Sequence, residues 1–248
     1  MVACLSRSTP LYFGERAGAR PGRLGGAGRV AGSRLACGAW GEYNPAAMEE
    51  PISIAIETSS QRGGVALGAG DGLVEPVAFR ADRRHAVQVV ARLEELLRRH
   101  GLRAADLAEV YVSIGPGSFT GLRVGITVAR VLAQFVPALR CVAVPTAQAV
   151  AENAAGLDFE NLGVVMDAGE GQVYVVLFRP TADGLAPVGP GRVIRPQRFV
   201  EQVPRPVLLI GEGLGYHRIE GGGILVGEES LWLPRAEGLW RVGRRMAA

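Results

Sequence analysis

Ser113-Ile-Gly-Pro-Gly-Ser-Phe-Thr-Gly-Leu-Arg-Val-Gly125 begins at the end of the β-rich run Val110 to Ile114 and opens an apolar stretch that continues to Phe135. Gly115 and Gly117 let the backbone turn sharply off a strand, Pro116 stiffens the turn and Ser118 is placed to cap a helix. The string therefore predicts strand, turn and helix, the helix running from about Phe119 to Phe135 and ending before Pro137. A helix that starts on free N–H groups can hold an anion. Gly115, Pro116, Gly117, Ser118, Phe119, Thr120 and Gly121 are accordingly candidates for an anion or nucleotide contact. The common signatures do not fit. G-x-G-x-x-G lacks its third glycine at Thr120, a P-loop needs a lysine, and G-x-S-x-G fails because Phe119 and Thr120 follow Ser118. On the residues alone a structural turn is favoured.

Ile52 to Thr58, Gly63 to Ala69 and Leu73 to Phe79 are β-rich runs separated by turn residues, which predicts an antiparallel meander. Residues 86 to 99 place Ala86, Val89, Val90, Leu93 and Leu97 on one helical stripe, with Glu94/Arg98 and Glu95/Arg99 spaced to pair at i,i+4. Cys141 to Val144 supplies a strand after the glycine-loop helix. Farther on, Leu162 to Asp167 and Gln172 to Phe178 form a hairpin, and Val207 to Ile210 leads into Gly211-Glu-Gly-Leu-Gly215. This order predicts an α/β protein, a ribonuclease-H-like mixed sheet with helices packed on it, as in the actin, sugar-kinase and Hsp70 superfamily. The expected organisation is an N-terminal lobe over 48–150 and a smaller second lobe over 151–248.

The chain has 248 residues and 48% hydrophobic composition, enough for a substantial core. Charges or glycines interrupt every apolar run before it reaches the roughly 20 residues that span a bilayer. All 27 basic residues are arginine, which excludes Schiff-base chemistry and the P-loop lysine. The net charge of +3 is concentrated early: residues 1–47 hold six Arg and two Glu, so residues 48–248 carry 21 Arg against 22 acids, or −1. That near-neutral body argues against nucleic acid as a direct partner. Residues 1–47 also contain nine Gly and no apolar periodicity, and are expected to be a disordered extension upstream of a natural start at Met48, a reading favoured over a targeting function. Three scattered cysteines suit neither a disulfide framework nor a zinc site, and a reducing, cytoplasmic setting is expected.

Ile54-Ala-Ile-Glu-Thr-Ser-Ser60, Arg84-His85 at a helix start, the glycine-loop string and Met166-Asp-Ala-Gly-Glu-Gly-Gln-Val-Tyr174, in this order, closely resemble the bacterial TsaB (YeaZ) family over roughly residues 52 to 215. The resemblance implies a non-catalytic dimerisation subunit. It would pair with the catalytic TsaD protein, together with the ATPase TsaE, to place threonylcarbamoyl on N6 of adenosine 37 in tRNAs reading ANN codons. Threonylcarbamoyl-adenylate would be the donor, with transfer on the partner, no cofactor required by this chain, and ATP and magnesium at the level of the complex. A homodimer of the free chain is a further expectation. Most relatives carry Asp at Glu57 and Arg at Gly169, and continue beyond Met246-Ala-Ala, so this copy is expected to be shortened at its C-terminus.

Gly121, Gly125, Ala129 and Ala133 recur every four residues, a narrow small-residue stripe that suits close helix contact, either with this protein's own sheet or with a partner. With His85, Val89, Arg92 and Arg123 beside it, this stripe is the expected partner interface. Glu57 and Asp167 stand at strand ends of the two lobes and are candidates for a nucleotide or magnesium contact, or else ordinary turn residues. His85, His100 and His217 lack metal-ligand spacing, and His100 and His217 are expected at the surface. The rival function is a nucleotide-dependent phosphotransferase or ATPase, with a peptidase less favoured because no nucleophile elbow or metal-ligand pair is present.

Overall fold

A computed structural model describes residues 50–80 and 85–248, with side chains from Gln88 onward in the second stretch. The expected extension 1–47, the proposed start at Met48 and the side chain of His85 lie outside the described residues.

Strands β1 (Ile52–Glu57), β2 (Arg62–Ala69) and β3 (Gly72–Arg80) form the expected antiparallel meander. After α1 (His85–Arg99), β4 (Leu107–Ser113) pairs parallel to β1. After α2 (Phe119–Phe135), β5 (Arg140–Val144) pairs parallel to β4, completing the order β3-β2-β1-β4-β5. Alternation decides which helix covers which face. Ile52, Ile54, Ile56, Val110 and Val112 meet Leu93, Leu96 and Leu97 of α1 and Ala129 of α2. Ala55, Tyr111, Val142 and Val144 point the other way. Covered on both sides, β1 is buried along its whole length. The predicted stripe of α1 is amended at Val90, which is 51% exposed, while Leu96 takes its place in the core. Of the predicted i,i+4 pairs, Glu95/Arg99 gives way to Arg92–Glu95 along the helix and Arg99–Glu75 across to β3.

Short helix α3 (Thr146–Ala151) leads to the second sheet, made of β6 (Leu162–Gly169), β7 (Gln172–Thr181), β8 (Gly184–Pro187), β9 (Arg192–Ile194), β10 (Val207–Ile210) and β11 (Ile224–Val226), with α4 (Pro196–Gln202) between β9 and β10. Its order is β11-β10-β6-β7-β8, with β9 also pairing β7. This is the ribonuclease-H-like α/β architecture in two lobes. The second lobe is reduced in helix rather than in sheet, since α4 has only seven residues.

The last helix, α5 (Ala236–Ala247), departs from the expected division at residue 151, because it packs on the far face of the first sheet. Leu239, Trp240 and Val242 fill the side of that sheet left open by α1 and α2, and Trp240 Nε1 donates to Ser53 Oγ at 2.8 Å. The chain thus crosses to the second lobe and returns.

Candidate functional site

The glycine loop is clamped onto the end of β1. Gly115 (φ +111°) and Gly117 (φ +152°) hold backbone conformations that side chains disfavour. Ser118 N donates to Ser59 O at 2.7 Å, and Ser118 Oγ caps α2 by accepting from Gly121 N at 3.3 Å. A methyl group on Gly121 would overlap the Thr58 carbonyl oxygen, and one on Gly125 would stand 2.5 Å from Thr58 Oγ1. With Ala129 at 2% exposure, the small-residue stripe therefore faces this chain's own sheet. The expectation that it forms the partner interface is corrected: close approach is required, but by β1. Val89 is likewise fully buried, and Ala133 is half-buried against the same core. Of the expected interface residues, Arg92 and Arg123 are exposed.

Beneath the loop, Glu57 is 0% exposed. Its Oε1 accepts from Ser59 N and Ser59 Oγ, both at 2.6 Å, and from Ser113 Oγ at 3.2 Å, while Oε2 has no partner. Burial raises its pKa against the opposing pull of these donors. Glu57 thereby closes the Ser59 turn and ties β1 to β4. Sequence reasoning missed Ser113, since a pairing 56 positions apart leaves no local signal, and the local Glu57–Ser59 contact, which depends on the turn the glycine loop imposes on Ser59.

Between the lobes lies a cleft of about 1020 Å³ whose walls include Ser59, Arg62 and Ser118 on one side and Asp167, Glu212 and Trp232 on the other. Asp167 Oδ1 meets His217 Nε2 at 2.8 Å and accepts from Gly169 N at 3.3 Å, while Glu212 Oε1 accepts from Asp167 N at 3.2 Å. Burial raises the pKa of Glu212. His217, expected at the surface, has a side chain only 14% exposed because it packs onto Asp167, and His100 is tied to Glu75 at 2.8 Å. Glu57 and Asp167 are not a convergent pair: one is sealed beneath Ser59, and the other is held by His217. Among the described residues, no group of three or more His, Cys, Asp or Glu comes together as a metal site.

The outer face of α1 and α2 is different in kind. Val131 and Phe135, one turn apart, are 43% and 81% exposed, and Val124 and Val128 extend their row as half-buried residues. Val90 on α1 is 51% exposed, and at the loop end Phe119 is 74% exposed with the Arg123 guanidinium 5.3 Å from its ring centre. Among the described residues no helix is long and apolar enough to cross a membrane.

A family model described as TsaD, tRNA N6-adenosine threonylcarbamoyltransferase, matches residues 74–209. A Bacillus subtilis (strain 168) protein named tRNA threonylcarbamoyladenosine biosynthesis protein TsaB is 30% identical over 169 residues, 66% of this chain and 72% of the relative. The protein of the same name from Escherichia coli (strain K12) is 29% identical over 53% of this chain, which spans only 57% of that relative's length. Among solved structures, YeaZ from Pseudomonas aeruginosa superposes with a TM-score of 0.66 at 25% identity, covering 77% of this chain and 90% of that one.

Proposed function

This chain belongs to the TsaB family, and from that premise we propose that it serves threonylcarbamoyladenosine biosynthesis in tRNA as a non-catalytic subunit, pairing with a TsaD-type catalytic subunit through the outer face of α1 and α2. The carrying observation is the exposed pair Val131 and Phe135, continued by the half-buried Val124 and Val128, with exposed Val90 on the neighbouring helix. Exposed large apolar side chains grouped on adjacent helices are a docking signal, whereas single ones are ordinary surface. Two helices from each partner would bury such rows in a four-helix seam at crossing angles near 20°. Arg92 and Arg123, exposed on α1 and α2, would set register at the rim. A TsaE-type ATPase and tRNA would be engaged through the complex, in the cytoplasm, with transfer on the partner.

The deciding experiment is co-elution of this chain with a TsaD-type subunit. Val131→Arg and Phe135→Glu should fold with unchanged melting temperature and lose co-elution, because each places charge in an apolar seam. Folded variants that still co-elute would move the interface elsewhere.

A further inference from the structure

The chain passes from the first lobe to the second through α3 and the turn Glu152–Ala154, and returns through residues 227–235. In a two-lobed protein such crossovers are the hinges, and lobe rotation is the default expectation unless they are restrained. Here both are gripped. Asn153, in the outgoing crossover, donates from Nδ2 to Leu231 O at 2.9 Å and to Leu233 O at 2.8 Å, so the two hydrogens of one amide hold two carbonyls of the returning crossover. Next to it, Glu152 is 7% exposed and receives Arg245 of α5 in a two-pronged contact, Nη1 to Oε1 at 3.2 Å and Nη2 to Oε2 at 2.6 Å. Helix α5 is itself fixed to the first sheet by Trp240. Helix α3 is shared by both cores, with Ala149 packed among first-lobe residues and Ala147, Val150 and Ala151 among second-lobe residues. The returning segment also walls the cleft through Trp232, Leu233 and Pro234.

We infer that Asn153, with the Glu152–Arg245 pair behind it, is a hinge lock that staples the two crossovers together and holds the cleft at one width. Rotation of the lobes would have to separate Leu231 and Leu233 from Asn153 and shear α3 out of one of its two cores. The protein is thus a fixed frame and does not close on a ligand as a clamshell does. This holds whether or not α1 and α2 carry the partner.

The test is the distance distribution across the cleft, measured by electron–electron resonance on the full chain with Cys4 and Cys37 replaced by Ser and spin labels on Gln61→Cys and Tyr216→Cys. The expected result is one narrow distance, unchanged by magnesium-ATP. In Asn153→Ala, and in Asn153→Asp, which keeps the shape but cannot donate, the narrow peak should be lost while near-ultraviolet circular dichroism still reports a folded core. If both variants fail to fold, Arg245→Met, which frees Glu152 and leaves Asn153 in place, is read in the same way. A broad distribution in the parent, a shift on adding magnesium-ATP, or folded variants as narrow as the parent would overturn the lock.

Discussion

The carboxyl group of Glu57 gives one oxygen to three donors and leaves the other with none in a site sealed from water. An ionised group there would pay a desolvation penalty that its donors only partly offset, so its folded pKa lies above the ordinary carboxylate range. The sign follows from linkage: the stabilisation is full below the unfolded pKa and is lost as pH rises through the folded one. Glu57→Gln removes that titration and keeps an acceptor for Ser59 and Ser113. The melting temperature of the parent should fall relative to that of Glu57→Gln as pH rises from the ordinary carboxylate range, and parallel melting curves would contradict this. At Gly121 the constraint is steric. Gly121→Ala drives a methyl group into the Thr58 carbonyl and should destabilise by about 1–3 kcal/mol in chemical denaturation, as overpacked sites do. The sequence identified Gly121 and Glu57 as notable, but not what they touch, because Thr58, Ser59 and Ser113 reach them only through strand pairing and the fold of the loop.

Among the elements, α2 was legible at both ends. Ser118 caps it and the predicted span Phe119 to Phe135 is the one observed, since cap and terminator are local chemistry. Its orientation was not legible. Small residues four apart look the same whether the close neighbour is the chain's own β1 or a partner, and the exposed row Val131 and Phe135 reads as core in a one-dimensional pattern. Ala129→Arg should therefore lower the melting temperature by several degrees, since it forces a guanidinium into the core, while Phe135→Glu leaves it unchanged. Helix α5 escaped notice because Gly238 and Gly243 weaken its helical signal, and both are required by close packing, Gly243 against the Tyr111 ring. Trp240→Ala removes the largest side chain joining α5 to the first sheet, together with its bond to Ser53, and should cost about 3–5 kcal/mol in denaturant unfolding. Strands β9 and β11, three residues each, are too short to leave a period-2 signature.

At the scale of the whole molecule, the element order announced the two-lobed architecture, but not that the chain would return to the first lobe and cover its second face with α5. That return leaves α1 and α2 with an outer apolar surface and leaves the cleft between lobes joined by stapled crossovers. Two carboxylates on its wall are tied into local hydrogen bonds, Asp167 to His217 and Glu212 to the Asp167 amide, while Glu57 lies sealed below, closing a turn. The purified chain should release no phosphate from ATP above background in a colorimetric assay. The proposed accessory role through α1 and α2 is tested by reconstituting tRNA modification with a TsaD-type subunit, a TsaE-type ATPase and threonylcarbamoyl-adenylate. Modified adenosine should form when the parent chain is added, and should fall to the level of the mixture lacking it when Val131→Arg or Phe135→Glu is added instead. Full modification without this chain, or undiminished modification with folded Val131→Arg and Phe135→Glu, would contradict it.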